Sequence, residues 1–93
     1  VDELTKSGHR AWAVRCDVTD PESVARMAQS ASSLLGGVDI LVNNAGVAAS
    51  SRLLKQTLEG WEQLFAVNVT GTFLCTKAVL GGMLERNWGR VIN

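Results

Sequence analysis

A chain of 93 residues suits one small domain or part of a larger one. Its 46% apolar and 19% charged residues are ordinary for a globular core, and a formal net charge of zero leaves no electrostatic footprint for nucleic acid or an anionic membrane surface. No apolar run approaches the roughly 20 residues of a membrane helix, the opening VDELTKSGHR is too charged for a signal peptide, no metal site is expected, and two cysteines far apart in apolar contexts fit a reduced, cytoplasmic compartment.

In chain order, VDELTKSG reads as the last turns of a helix, with Gly8 placed to end it in the left-handed conformation. RAWAVRCDV alternates, with Ala11, Ala13 and Arg15 on one side and Trp12, Val14 and Cys16 on the other, which predicts a strand. Asp20 before Pro21 starts a helix; Thr19 with Glu22 is the alternative cap. Val24, Met27, Ala28, Ala31, Leu34 and Leu35 recur at helical spacing until Gly36 and Gly37 stop them. VDILV is a continuous apolar strand of the kind buried in a parallel sheet. After NNAG comes a polar, alanine-rich loop to about Gln56. Thr57 opens a long helix reaching about Arg86, Asn87 and Gly89 punctuate its end, and RVIN begins another strand. This alternation predicts an α/β fold with a parallel sheet.

Two places carry amides where apolar residues would be simpler. NNAG follows a buried strand, and ligands of open parallel sheets bind beyond the carboxyl ends of the strands. Small Ala45 and Gly46 permit close approach of a flat ligand, Asn44 can both donate and accept, and Asn43 can satisfy backbone groups where strands splay. A plain Asx turn explains the same residues equally well. In the long helix, Asn68 falls on one stripe with Trp61, Leu64, Phe65, Thr72, Cys75 and Val79. An amide there needs a partner, since an unpaired buried polar group costs about 1–3 kcal/mol. Periodicity alone favours a structural role for it over a place in a catalytic cleft.

CDVTD, DILVNNAG, FAVNVTGTF and GRVIN, in this order and register, resemble the short-chain dehydrogenase/reductase family over the whole chain, in the style of its 3-oxoacyl-(acyl carrier protein) reductase members. The resemblance implies a Rossmann-type doubly wound parallel sheet. Residues 1–93 would be the central part of a single NAD(P)-binding domain, truncated at both ends. They would supply its third, fourth and fifth strands, the fourth and fifth as neighbours and the third apart from them. It implies hydride transfer between NAD or NADP and a carbonyl or alcohol, such as a 3-oxoacyl thioester, in a cytoplasmic homo-oligomer, dimer or tetramer. Nucleic acid, membrane and metal play no part in that reading. A non-catalytic dinucleotide-binding regulator or scaffold of the same fold is the alternative, and an unrelated Rossmann-type protein such as a methyltransferase is a more distant one.

Residue by residue, Asp17 would contact the adenine, with the Val18 backbone beside it. Asn44, Ala45 and Gly46 would line the adenosine and ribose side, and Asn43 would stabilise the centre of the sheet. Asn68 would be the asparagine of the family's Asn-Ser-Tyr-Lys catalytic set, supporting a water that leads to the lysine. The glycine-rich phosphate turn, the serine and the Tyr-x-x-x-Lys pair have no counterpart in these residues, which contain no tyrosine. Lys77, opposite Asn68 around the helix, is therefore not the catalytic lysine. His9 reads as an exposed turn residue, Cys75 as a small core residue, and Trp61 and Trp88 as packing anchors.

Overall fold

A computed structural model describes residues 1–47 and 52–93. A short helix, α1 (Asp2–Lys6), ends where Gly8 takes φ +88. Helix α2 (Pro21–Leu35) starts at Asp20, whose side chain accepts from the Glu22 amide at 3.1 Å, with proline at the first helical position. Of the two caps the sequence offers, the aspartate is used. Gly36 closes α2 in the left-handed conformation at φ +78. Strand β1 (Ile40–Val42) follows, and a single 3₁₀ turn occupies Leu53–Lys55. Thr57 caps helix α3 (Leu58–Phe65) by accepting from the Gly60 amide at 3.0 Å. A π-helical turn (Ala66–Thr70) joins α3 directly to helix α4 (Gly71–Glu85), and strand β2 (Arg90–Ile92) closes the order. The polar loop expected up to Gln56 includes residues 48–51, which lie outside the described residues.

β1 and β2 pair in parallel, with Leu41 opposite Val91. Leu41 and Val91 turn toward the helices and pack, with Val38, against Ala28 of α2 and Val79 and Met83 of α4. α2 and α4 therefore cover one face of the sheet, while Ile40, Val42 and Ile92 on the other are more than half exposed. Arg86, just past α4, fastens the loop before β1. Its Nη2 donates to the Val38 carbonyl at 2.6 Å and lies 3.6 Å from the Asp39 carboxylate. Gly37, at φ +131, leaves room for that guanidinium, since a Cβ there would sit 3.0 Å from Nη1.

Three expectations need correcting. Residues 10–18 do not form a strand among the described residues, because a strand exists only through its ladder and the one sheet present pairs β1 with β2. The alternation survives without the ladder: Trp12 and Val14 face Ala31, Leu34 and Leu35 of α2. RAWAVRC is not paired with DILV among the described residues. Second, the single stripe through Asn68 is broken. Trp61, Phe65 and Asn68 are exposed, whereas Cys75 and Val79 are buried. The Gly71 amide donates to the Ala66 carbonyl, five residues back, and the extra residue in that turn moves the helical phase by roughly 100°. Third, α3, the π turn and α4 make one continuous helix, Leu58–Glu85, of 28 residues with a window of mean hydropathy 1.4, long and apolar enough by composition to cross a membrane. Here its α4 portion buries Gly71, Cys75, Val79 and Met83 instead.

Candidate functional site

The site gathers at the carboxyl end of β1, where three short stretches meet. The first is the turn Asp17–Asp20, closed by the Asp20 amide donating to the Asp17 carbonyl at 3.1 Å. The Asp17 amide donates to the buried Ser23 hydroxyl at 2.8 Å, which ties the turn to the first turn of α2. One carboxylate oxygen of Asp17 accepts from the Thr19 hydroxyl at 2.7 Å and from the Thr19 amide at 3.0 Å. These two bonds, the hydroxyl first, hold the Asp17 carboxyl below the usual aspartate range against a small opposing effect of burial. A fully ionised, exposed carboxylate results, a fit acceptor for an exocyclic amine of a nucleobase.

The second stretch is Asn43–Val47. The Asn43 amide nitrogen donates to the Thr76 hydroxyl of α4 at 3.1 Å and to the Asn93 side-chain oxygen at 2.9 Å, while its backbone N–H reaches the Ile92 carbonyl at 2.7 Å. It thus joins the ends of both strands to α4, the sheet-stabilising place expected for it. Asn44, Ala45 and Gly46 are exposed. Asn44 and Ala45 line a cavity of about 250 Å³ with Val18, Cys16, Gly71 and Cys75 among its other walls. Gly46 passes close to the helix, since a Cβ there would lie 3.1 Å from Asn68 Oδ1.

The third stretch is the π turn. Asn68 Oδ1 accepts from the Val47 amide at 2.9 Å, and Asn68 Nδ2 donates to the Val47 carbonyl at 2.9 Å. Its own carbonyl accepts from the Thr72 hydroxyl at 3.2 Å. The expected partner of this amide is therefore the loop after β1, held by both halves of one side chain. π turns are frequent at functional sites because they turn a side chain out of the regular helical face.

The structure brings Val18, Asn44 and Ala45 to one cavity and sets Asn68 beside Gly46, a contact that the sequence did not foretell. Asp17 is not among that cavity's walls; its carboxylate sits beside it, in its own turn. Sequence reasoning missed Ser23, Val47 and Gly71. Gly71 is the residue on which Val18 rests, for a Cβ there would stand 2.8 Å from Val18 Cγ2. A glycine inside the helical stretch VNVTGTF was the available signal, since a mid-helix glycine costs about 1 kcal/mol against alanine and needs a packing reason.

Comparison with known proteins follows the same residues. A family model described as short chain dehydrogenase matches residues 1–93. A 3-oxoacyl-[acyl-carrier-protein] reductase of Synechocystis sp. is 39% identical over 93 residues, covering 100% of this chain and 38% of that protein. An inactive 2-(S)-hydroxypropyl-CoM dehydrogenase 2 of Xanthobacter autotrophicus is 46% identical over 86 residues, 92% of this chain and 37% of that protein. The solved structure of a short-chain dehydrogenase from Streptomyces avermitilis superposes with a TM-score of 0.88 at 36% identity, covering 97% of this chain and 33% of that one. The fold is thus a partial Rossmann-type α/β fold, and the chain spans about a third of the length of these relatives.

Proposed function

The chain belongs to the short chain dehydrogenase family, and on that premise we propose that the whole protein is an NAD(P)-dependent oxidoreductase. It transfers a hydride between the nicotinamide cofactor and a small-molecule carbonyl or alcohol, with a 3-oxoacyl thioester as substrate class. The observation that carries this reading is the clamp of Asn68 on Val47 at the carboxyl end of β1. It fixes the NNAG loop against the helix that bears the family's asparagine. The residues fit the cofactor: Asp17 offers an ionised carboxylate, Val18 a backbone edge, and Asn44, Ala45 and Gly46 a small, exposed floor. The bound cofactor would supply the hydride; these residues bind and orient it, and Asn68 holds the loop in place. Either NAD or NADP suits this half of the pocket. The similarity to a 3-oxoacyl-[acyl-carrier-protein] reductase supports the thioester class.

In the same reading residues 1–93 are the central part of one NAD(P)-binding domain, and the protein works in the cytoplasm as a homo-oligomer, with neither nucleic acid nor membrane as partner. The exposed Val69 of the π turn and Phe73 and Leu80 of α4 support association. The test is the rate of NADH and NADPH oxidation by the full-length protein with a 3-oxoacyl thioester. Turnover with one cofactor is expected; tight binding of the cofactor with no turnover on any carbonyl would overturn it. That second outcome is the alternative reading, a dinucleotide-binding regulator or scaffold, which is favoured by the relative named as inactive.

A further inference from the structure

We propose that Ser23 is a positioning residue for base recognition: it holds Asp17 so that the site accepts a purine bearing a 6-amino group, such as adenine, and rejects the 6-oxo counterpart, hypoxanthine. Ser23 is the one polar side chain buried among the described residues, 9% exposed, in the first turn of α2. Alanine would fill that place more simply, because a buried hydroxyl must find a partner. A serine at a helix start ordinarily bonds the backbone of its own helix. Ser23 instead accepts from the Asp17 amide at 2.8 Å, six residues back and outside α2. The hydroxyl thus fixes where Asp17 stands.

Asp17 is held from three sides. Its backbone N–H donates to Ser23, its carbonyl accepts from the Asp20 amide at 3.1 Å, and its Oδ1 accepts from the Thr19 hydroxyl at 2.7 Å and the Thr19 amide at 3.0 Å. These bonds join residues no more than six apart, so the turn is built within its own stretch of chain. Oδ2 takes no hydrogen bond among the described residues, and Asp17 is exposed. What remains for a ligand is one carboxylate oxygen in one orientation. An ionised carboxylate only accepts hydrogen bonds. It pairs with the amino group of a 6-aminopurine, whereas the carbonyl of a 6-oxopurine would set oxygen against oxygen. A site committed to a donor discriminates strongly against the analogue that lacks it, provided the acceptor cannot swing away. Ser23 supplies that restraint on the backbone and Thr19 on the side chain. With the cofactor role proposed for Asp17 as its basis, the purine read here is the adenine of the dinucleotide.

The experiment uses the full-length protein and compares fluorescence titrations of NADH and NADPH with those of their 6-deamino analogues, which carry hypoxanthine in place of adenine. Wild type should bind the adenine form about tenfold more tightly, the scale of one hydrogen bond to a charged group. Ser23→Ala should cut that ratio by about fivefold, the scale of one neutral hydrogen bond, chiefly by weakening the adenine form. Thr19→Val, β-branched like threonine, should cut it as well. The two ligands differ at one group, so a general loosening of the fold weakens both alike and leaves the ratio in place. An unchanged ratio in Ser23→Ala therefore overturns the role of Ser23. If that variant does not fold, Thr19→Val decides in its place, and an unchanged ratio there overturns the restrained turn. Wild type that binds both forms equally overturns base recognition at Asp17 while the functional reading stands. Wild type that binds neither form refutes the functional reading, and base recognition with it.

Discussion

Asn68 commits both halves of its amide to one backbone unit, that of Val47. Alanine there releases the loop after β1, and in the full-length protein turnover should fall by about tenfold to a hundredfold, the scale on which an ångström of misplacement acts. Cofactor affinity should change less. Asn68→Asp keeps the acceptor for the Val47 amide but sets an oxygen against its carbonyl, so it should fall between the two in steady-state kinetics. Unchanged turnover in both would remove the role. Asp17 makes a different prediction. Its lowered pKa means that the charge-assisted bonds to Thr19 are complete above the ordinary aspartate range and are lost as pH falls through the lowered value. NAD(P)H affinity should therefore be flat from neutrality to about pH 5, a unit above the usual carboxylate of ~3.9, and decline only in stronger acid. Asp17→Asn should lower affinity at pH 7 and flatten the acid limb. A fluorescence titration across pH, with circular dichroism to confirm that the fold persists, checks both.

Among the elements, the contact between the Asp17–Asp20 turn and α4 depends on one missing methyl. Gly71→Ala would place a Cβ 2.8 Å from Val18 Cγ2 and 3.3 Å from the Val18 carbonyl. It should destabilise the full-length protein by about 1–3 kcal/mol, as overpacking does. Val18→Ala should recover much of that loss, and additive melting temperatures in the double variant would refute the contact. Asp20→Ala removes the cap of α2 and should cost about 1 kcal/mol by denaturant titration. These elements differ in how openly the sequence declares them. Asp20-Pro21, Thr57, Gly8 and Gly36 are local signals whose physics is complete within a few residues, and each ends or starts a helix where expected. The π turn is not local in that sense. VNVTG has the same composition with or without an extra residue in the turn, so an uninterrupted 3.6-residue count carried the stripe from Trp61 to Val79 across a change of phase. The pairing of Asn68 with Val47 was hidden for the same reason, since it joins residues 21 apart through two backbone atoms that have no side-chain signature. The alternation of RAWAVRC foretold its faces but not its lack of a ladder.

Taken whole, the chain covers little of its own apolar surface. Its radius of gyration is 15.8 Å, against about 12 Å for a self-contained domain of this length. Leu53, Leu54 and Leu58 are 70–99% exposed, and Ile40, Val42 and Ile92 leave one sheet face bare. A two-stranded sheet also has two open edges. Expressed alone, residues 1–93 should show no sharp cooperative thermal transition, should bind NAD(P)H weakly or not at all, should be inactive, and should aggregate. Calorimetry with a cofactor titration decides it: a cooperative melt together with micromolar binding would refute the first two. The same exposure explains why the sequence looked ordinary in composition. The 46% of apolar residues is the content of a buried core, and composition cannot say which neighbours do the burying.

The seam between β1 and β2 also sets an order of events during folding. Its strands are joined across 50 residues, the separation of Asn43 from Asn93, and the same Asn43 amide reaches Thr76 at a separation of 33. Closing the longer loop first is entropically the harder route, whereas docking α4 on α2 shortens the search for β2. The helices should accordingly be native-like in the transition state and the seam should zip afterwards. In the full-length protein, Asn43→Ala should then mainly accelerate unfolding, while Ala28→Gly in the helical contact should mainly slow refolding. Chevron plots of the two variants would show the asymmetry, and a seam that forms early would reverse it.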